Sequence, residues 1–204
     1  MKRTDFGQAR TYLSKGNVFG KPALYRVVVG ERSFMVKDVR EKHFLMRWTL
    51  GLWLIQKEWK IYSRLKGVGG IPEPIERVGL FAFVMEFVSG RPIERGKPLP
   101  LSFFSSLEQI LQEIHLRGVA HLDLRHKGNI LLSEAGTPIL IDFNSGFSVG
   151  KKGFFRRLLF PFLRWVDHGG LLKLKERISP DLLTSEEQSF LKRFNRIRKL
   201  WIFN

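Results

Sequence analysis

The sequence predicts an α+β fold in two lobes: a small antiparallel β-sheet with a single helix first, then a reduced, mainly α-helical second half. Three patterns in the 204 residues carry this expectation. Strand-rich character dominates residues 12–39, where Leu24 to Val29 and Ser33 to Val39 flank a Gly30-Glu31-Arg32 turn signal and read as a hairpin. Apolar residues then recur at helical spacing over residues 43–66, and again after Ser102. Between those helices, the run Gly67-Val68-Gly69-Gly70-Ile71-Pro72-Glu73-Pro74 and the prolines at 92, 98 and 100 mark loop punctuation and a connector.

Composition narrows the function classes. A hydrophobic content of 44% is enough to bury a sizeable core. The absence of cysteine excludes a disulfide framework and cysteine-ligated zinc or iron–sulfur sites, and fits a reducing compartment. No apolar run approaches the roughly 18 residues of a membrane span. Met1-Lys2-Arg3-Thr4-Asp5 leads into no signal-peptide core. The expected location is the cytoplasm, with the inner face of the plasma membrane open as a refinement. A net charge of +16 attracts polyanions: nucleotide phosphates, nucleic acid or an anionic membrane surface. No repeat and no nucleic-acid-binding motif accompanies that charge, so nucleic acid is not an expected partner.

Taken in order, Phe34 and Val36 alternate with Met35 and Lys37, which sets Lys37 on the opposite face of its strand from two apolar neighbours. In the first helix Trp48, Leu52, Ile55, Trp59 and Tyr62 recur at spacings of four, three, four and three and define one face. Strands are expected at Ile75 to Val78 and Leu80 to Phe87. Ser102 is placed to cap the next helix, whose Leu107, Ile110, Leu111 and Ile114 form an apolar stripe ending near Gly118. Residues 151–165 carry five cations and no acid among large apolar groups. Two readings of them stay open: a segment lying in a membrane interface, or an amphipathic helix packed on the protein with its basic side in water, interrupted in either case at Pro161. Leu171 to Arg177 forms another short helical piece. The last helix begins at Thr184 with Glu187 as its capping-box partner and shows Phe190, Phe194, Ile197 and Trp201 on one face.

The chemistry concentrates between His121 and Asp142. Asp123 follows an apolar turn, Arg125 and Lys127 come next, Asn129 precedes the apolar run Ile130 to Leu132, and a second apolar run ends on Asp142. Two short strands would bring two carboxylates and a carboxamide to one edge. That suits phosphoryl transfer, which needs oxygen ligands for magnesium and a group to orient a hydroxyl. The stretch resembles the protein-kinase-like superfamily, with His121-Leu122-Asp123 in the place of His-Arg-Asp and Asp142-Phe143-Asn144 in the place of Asp-Phe-Gly.

The resemblance implies ATP and Mg²⁺ as cofactors and assigns roles residue by residue. Lys37 would reach the α/β-phosphates and Glu58 would pair with it; an ordinary solvent lysine and a surface salt bridge to Lys57 or Arg64 are the alternatives. Gly16 and Gly20 belong to a glycine-containing turn that would lie over phosphates, although it lacks the G-x-G-x-x-G spacing. Backbone groups of Glu86 and Val88 would meet the adenine edge in a hinge spanning about residues 86–91. Asp123 would orient the attacking hydroxyl, Arg125 would lean on the γ-phosphate, and Asn129 and Asp142 would hold the metal. On this reading residues 1–204 are one domain, with a first lobe over about 10–88 and a second over about 92–204.

Three departures qualify the resemblance. Asp123 and Asn129 enclose five residues where the motif has four, so the loop must bulge or Asn129 is not a ligand. Asn144 replaces the final glycine of Asp-Phe-Gly, and no Ala-Pro-Glu follows Asp142. In shortness and basic-aromatic character the chain is most similar to small bacterial lipopolysaccharide core (Kdo or heptose) kinases and RIO-like kinases. That resemblance implies a glycolipid sugar as acceptor and a glycolipid or anionic membrane surface as partner. A Ser/Thr protein substrate and an ATP-binding pseudokinase remain the alternatives.

Overall fold

The computed structural model describes residues 10–16, 22–150, 153 and 158–199. The chain divides into two compact units, Met1–Gly67 with Ile71–Ser89 and Val68–Gly70 with Gly90–Asn204.

The first unit is built on a five-stranded antiparallel sheet of β1 (Arg10–Ser14), β2 (Ala23–Val29), β3 (Arg32–Asp38), β4 (Pro74–Val78) and β5 (Ala82–Glu86) in the order β1-β2-β3-β5-β4. The expected hairpin is present. Val29 pairs with Arg32, so Gly30 and Glu31 form a two-residue turn, and Gly30 takes φ +61° where the right-handed strand twist needs a left-handed first corner. One sheet face buries Tyr25, Val27, Val36 and Val84, with Phe34 and Val78 against them. Period two therefore turns Lys37 to the other face. There Phe83 meets Trp59 and Tyr62, with ring centroids 5.7 and 6.1 Å apart. Asp38 ends β3 by accepting from the Tyr25 hydroxyl (3.1 Å) and from Arg40 Nε (2.8 Å), which anchors the strand end just beyond Lys37.

The expected helix over 43–66 consists of three pieces: α1 (Phe44–Met46), a π-helical turn (Arg47–Gly51) and α2 (Leu52–Arg64). The π turn holds an extra residue per turn and shifts the phase of everything before it. Trp48 consequently leaves the face on which straight periodicity puts it. It is 46% exposed and lies edge-on to Phe81. The buried residues of α2 are Ile55, Glu58, Ile61 and Tyr62. Gly51 closes the π turn, and a Cβ there would stand 3.0 Å from the Met46 carbonyl oxygen and 3.4 Å from Val39 Cβ.

The second unit comprises α3 (Leu101–Leu116), α4 (Phe160–Ile178) and α5 (Ser185–Lys199) with short strands. β6 (Arg91–Pro92), β8 (Ile130–Leu132) and β9 (Pro138–Leu140) form one antiparallel sheet, and β7 (Val119–Ala120) pairs with β10 (Phe147–Ser148). The stripe Leu107, Ile110, Leu111 and Ile114 is buried as expected, and Gly118 follows the helix with φ +73°. Ser102 is not the cap: α3 starts at Leu101, and Pro100 stands at the N-cap with its carbonyl accepting from Phe103 N–H (3.1 Å).

Pro161 does not interrupt a helix but occupies the first turn of α4, where its missing N–H leaves no bond unmade. Leu171 to Arg177 is the second half of that same 19-residue helix rather than a separate piece. All of Gly169 to Lys175 is buried. Gly169 lets α5 approach closely, since a Cβ there would lie 2.2 Å from the Phe194 ring. The capping box is present, with Thr184 N–H donating to Glu187 Oε2 (2.8 Å) and Glu187 N–H to Thr184 Oγ1 (3.2 Å). Trp201 lies outside the described residues, as do Lys151, Lys152 and residues 154–157 of the basic-aromatic stretch. Among the described residues no helix is long and apolar enough to cross a membrane.

Candidate active site

In the first unit the sheet brings Lys37 to Glu58. Lys37 is 5% exposed and Glu58 fully buried, and Lys37 Nζ donates to Glu58 Oε1 at 2.5 Å, with the Tyr62 ring centroid 5.9 Å away. The solvent-lysine and surface-salt-bridge alternatives are thereby excluded. Burying two charges recovers little net stability after desolvation, so what the pair contributes is the fixed position of the ammonium group.

In the second unit the loop from His121 is held from three sides. The His121 ring is fully buried, lies 4.8 Å from the Phe143 ring, and places Nε2 3.0 Å from the Ile141 carbonyl and Nδ1 3.3 Å from Asp123 N. A carbonyl can only accept and a backbone N–H can only donate. The ring is therefore the neutral tautomer protonated on Nε2, tying Asp123 to the strand that delivers Asp142. Burial pushes the imidazole below its ordinary value, opposed by the charges of Asp167, Asp142 and Asp123.

A depressed histidine pKa contributes stability above the unfolded value of about 6.5, and that contribution is lost as pH falls through the folded value. Denaturant midpoints are accordingly expected to drop between pH 7 and 5. His168 is displaced the same way by burial. The His121 share is the part of the pH slope that His121→Gln removes, and an unchanged slope in that variant would contradict the assignment.

The second support is Asp167 on α4, which the sequence did not single out. It is 1% exposed; Oδ2 accepts from His121 N (2.8 Å) and lies 2.9 Å from His115 Nε2, while Oδ1 accepts from Leu122 N (2.7 Å). Its signal in the sequence was weak but present: it is the sole acid between Lys151 and Lys175. Leu122 takes φ +65° and Asp142 φ +66°, the two described non-glycine residues in the left-handed region, and they flank the site. Asn144, in the place of the motif's glycine, does not take a positive φ; Asp142 does.

The third support is Asn129, which is 4% exposed and donates Nδ2–H to both the Asp123 carbonyl (2.9 Å) and Asp123 Oδ2 (3.0 Å). The widened spacing is absorbed by two successive turns, His126 N to Asp123 O (3.4 Å) and Asn129 N to His126 O (2.9 Å). Ile141 N then donates to Asn129 O (2.8 Å) where β8 and β9 end. Asp123, Asn129 and Asp142 are thus gathered around His121 at one end of a hairpin.

No family model and no curated protein matches the chain. Among solved structures it is similar to Rio2 kinase from Chaetomium thermophilum, determined as an ADP/Mg²⁺-phosphoaspartate complex, with 18% identity and a TM-score of 0.57. The alignment covers 89% of this chain and 61% of that one, so the chain spans about three fifths of that protein. The chain has a RIO-kinase-like fold. Within this kinase-like fold the remaining expected residues fall as follows. Arg125 is exposed, with its carbonyl accepting from Arg177 Nη1 (3.1 Å). Glu86 ends β5 with its N–H donated to the Glu73 carbonyl (2.8 Å), and Val88 follows, half-buried. Gly16 takes φ +68° and donates its N–H to Ser14 Oγ (3.2 Å), while Gly20 lies outside the described residues.

Proposed function

We propose that the chain is an ATP- and Mg²⁺-dependent phosphotransferase moving the γ-phosphoryl group to a hydroxyl, with a sugar of a membrane glycolipid such as lipopolysaccharide core as acceptor. The observation that carries the reaction class is the gathering of Asp123, Asn129 and Asp142 around His121. Asp123 orients the acceptor hydroxyl and takes its proton late, since the transition state is loose and positioning outweighs basicity. Its own orientation is set by the Asn129 carboxamide and, through its N–H, by neutral His121.

The donor set fits Mg²⁺. Asn129 spends its NH₂ on Asp123, which leaves its carboxamide oxygen, with the Asp142 carboxylate, to hold the ion, and Mg²⁺ takes few protein oxygens while keeping phosphate and water ligands. Bound there, the ion supplies charge compensation on the phosphate oxygens. Arg125 adds a cation for the transferred group. In the sheet unit Lys37, fixed by Glu58, engages the α/β-phosphates; Gly16 borders the phosphates; the Glu86 carbonyl and Val88 backbone receive adenine.

The acceptor reading is supported by a pocket of about 450 Å³ next to Asp123, lined by Leu122, Leu124, Phe162, Trp165, Phe194 and Ile197 together with Arg125 and Arg198. Its size and apolar lining with a few charges are those of small-molecule sites. A Ser/Thr protein acceptor is the second reading, favoured by the likeness to Rio2 kinase. Incubation with labelled Mg-ATP, a lipopolysaccharide core precursor and a mixed-sequence Ser/Thr peptide tests both: label is expected in the glycolipid. Label in the peptide alone transfers the assignment to a protein kinase, and an absence of ATP turnover with every acceptor makes the chain a pseudokinase.

A further inference from the structure

Beyond the loop that carries Asp123, a second pocket of about 380 Å³ is lined by Arg95, Arg125, His126, Lys127 and Arg177 over Leu174 and Ile178. No carboxylate lines it. The nearby Glu94 is exposed and bonded to Lys97 (2.8 Å), whose hydrogen bond and charge, together with the charges of Arg91 and Lys127, hold its carboxyl low. Three segments converge on the pocket, the connector after β6, the loop after Asp123 and α4, and Arg177 joins the last two by donating to the Arg125 carbonyl. One turn back on α4, Lys173 is 8% exposed, and its charged surroundings are chiefly cationic. Burial first, then Arg198, Arg125 and Arg177, push its ammonium below the ordinary lysine value, against Glu176 alone.

Arg95, Arg125, Lys127 and Arg177 are exposed, yet they line one concave surface and set up a positive potential there. A bound oxyanion is drawn to that potential, and arginine forks with an adjacent lysine are suited to a phosphate group. We infer that this pocket binds a phosphate monoester carried by the acceptor, so that the acceptor is a molecule already phosphorylated near its reacting hydroxyl. The identity of the carrier rests on the phosphotransfer reading, whereas the pocket itself does not.

The experiment titrates glycerol 3-phosphate into the full chain at constant ionic strength, with and without Mg-ADP, and monitors binding by calorimetry. The same affinity is expected in both conditions. The double variant Arg95→Gln/Arg177→Gln should weaken it roughly tenfold or more. Lys192→Gln/Arg193→Gln, which removes equal charge from the exposed side of α5, should leave it within about twofold. Equal losses in the two variants would reduce the effect to the net charge of the molecule and overturn the site. Displacement by Mg-ADP would assign the anion to nucleotide phosphates instead, and tighter binding of inorganic phosphate would assign the pocket to the free ion; either overturns the acceptor assignment. Because binding is read without turnover, an inactive protein that binds supports the pocket while removing the phosphotransfer reading. An active protein that does not bind removes the pocket alone.

Discussion

Asp123→Asn is expected to lower phosphoryl transfer by roughly a thousandfold while leaving the unfolding free energy within about 1 kcal/mol of the parent. The separation of the two effects follows from the loop. An asparagine at position 123 still offers an oxygen to Asn129 Nδ2 and keeps the N–H that meets His121, so the turn retains its shape. What it loses is the capacity to accept the hydroxyl proton. ATP turnover and a denaturant titration on the same preparation test this, and retention of more than a tenth of the activity would take the role away from Asp123.

Asp167→Ala is expected to cost both fold and function, for a different reason. The carboxylate accepts from two buried backbone N–H groups, His121 and Leu122, and meets the buried His115 ring. Truncation strands those groups without water, at about 1–3 kcal/mol for each unsatisfied donor, so a total loss of about 3–5 kcal/mol is expected. Released from Asp167, Leu122 has little to hold it at φ +65° and should relax toward ordinary geometry, carrying Asp123 with it. Turnover is then expected to fall by roughly a hundredfold at saturating ATP, with ATP affinity retained, because Asp167 touches no nucleotide-binding residue. Asp167→Asn keeps one acceptor and should fall between. A variant that is destabilised but turns over normally when folded would confine Asp167 to the fold.

Local rules made much of this legible beforehand. The β2–β3 hairpin follows from its turn residues, the α3 stripe from its spacing, and the α5 start from the Thr184–Glu187 box, because each is decided within about ten residues. Lys37 and Glu58 were legible as a pair only through the family resemblance, since nothing local says that a strand lysine and a helix carboxylate 21 residues apart will meet in the core. The misreadings share one cause, tertiary packing overriding sequence punctuation. Pro161 marks a helix start as readily as a break. Leu171 to Arg177 continues the helix through Gly169 and Gly170, where α5 and the Asp123 loop come close through Phe194 and Leu124. The π turn leaves no local trace, since in the sequence Trp48 keeps helical spacing with Leu52 and Ile55.

The bonds from Asn129 back to Asp123 have a consequence for how such a chain can change over evolutionary time. They close residues 124–128 into a loop whose two ends are fastened by one side chain, with Leu124 packed inside and residues 125–127 exposed. Drift at His126 and Lys127 can rewrite exposed side chains near Asp123 without displacing the carboxamide. If these positions choose the acceptor, as proposed above, the chemical step and the choice of what it acts on are separately heritable.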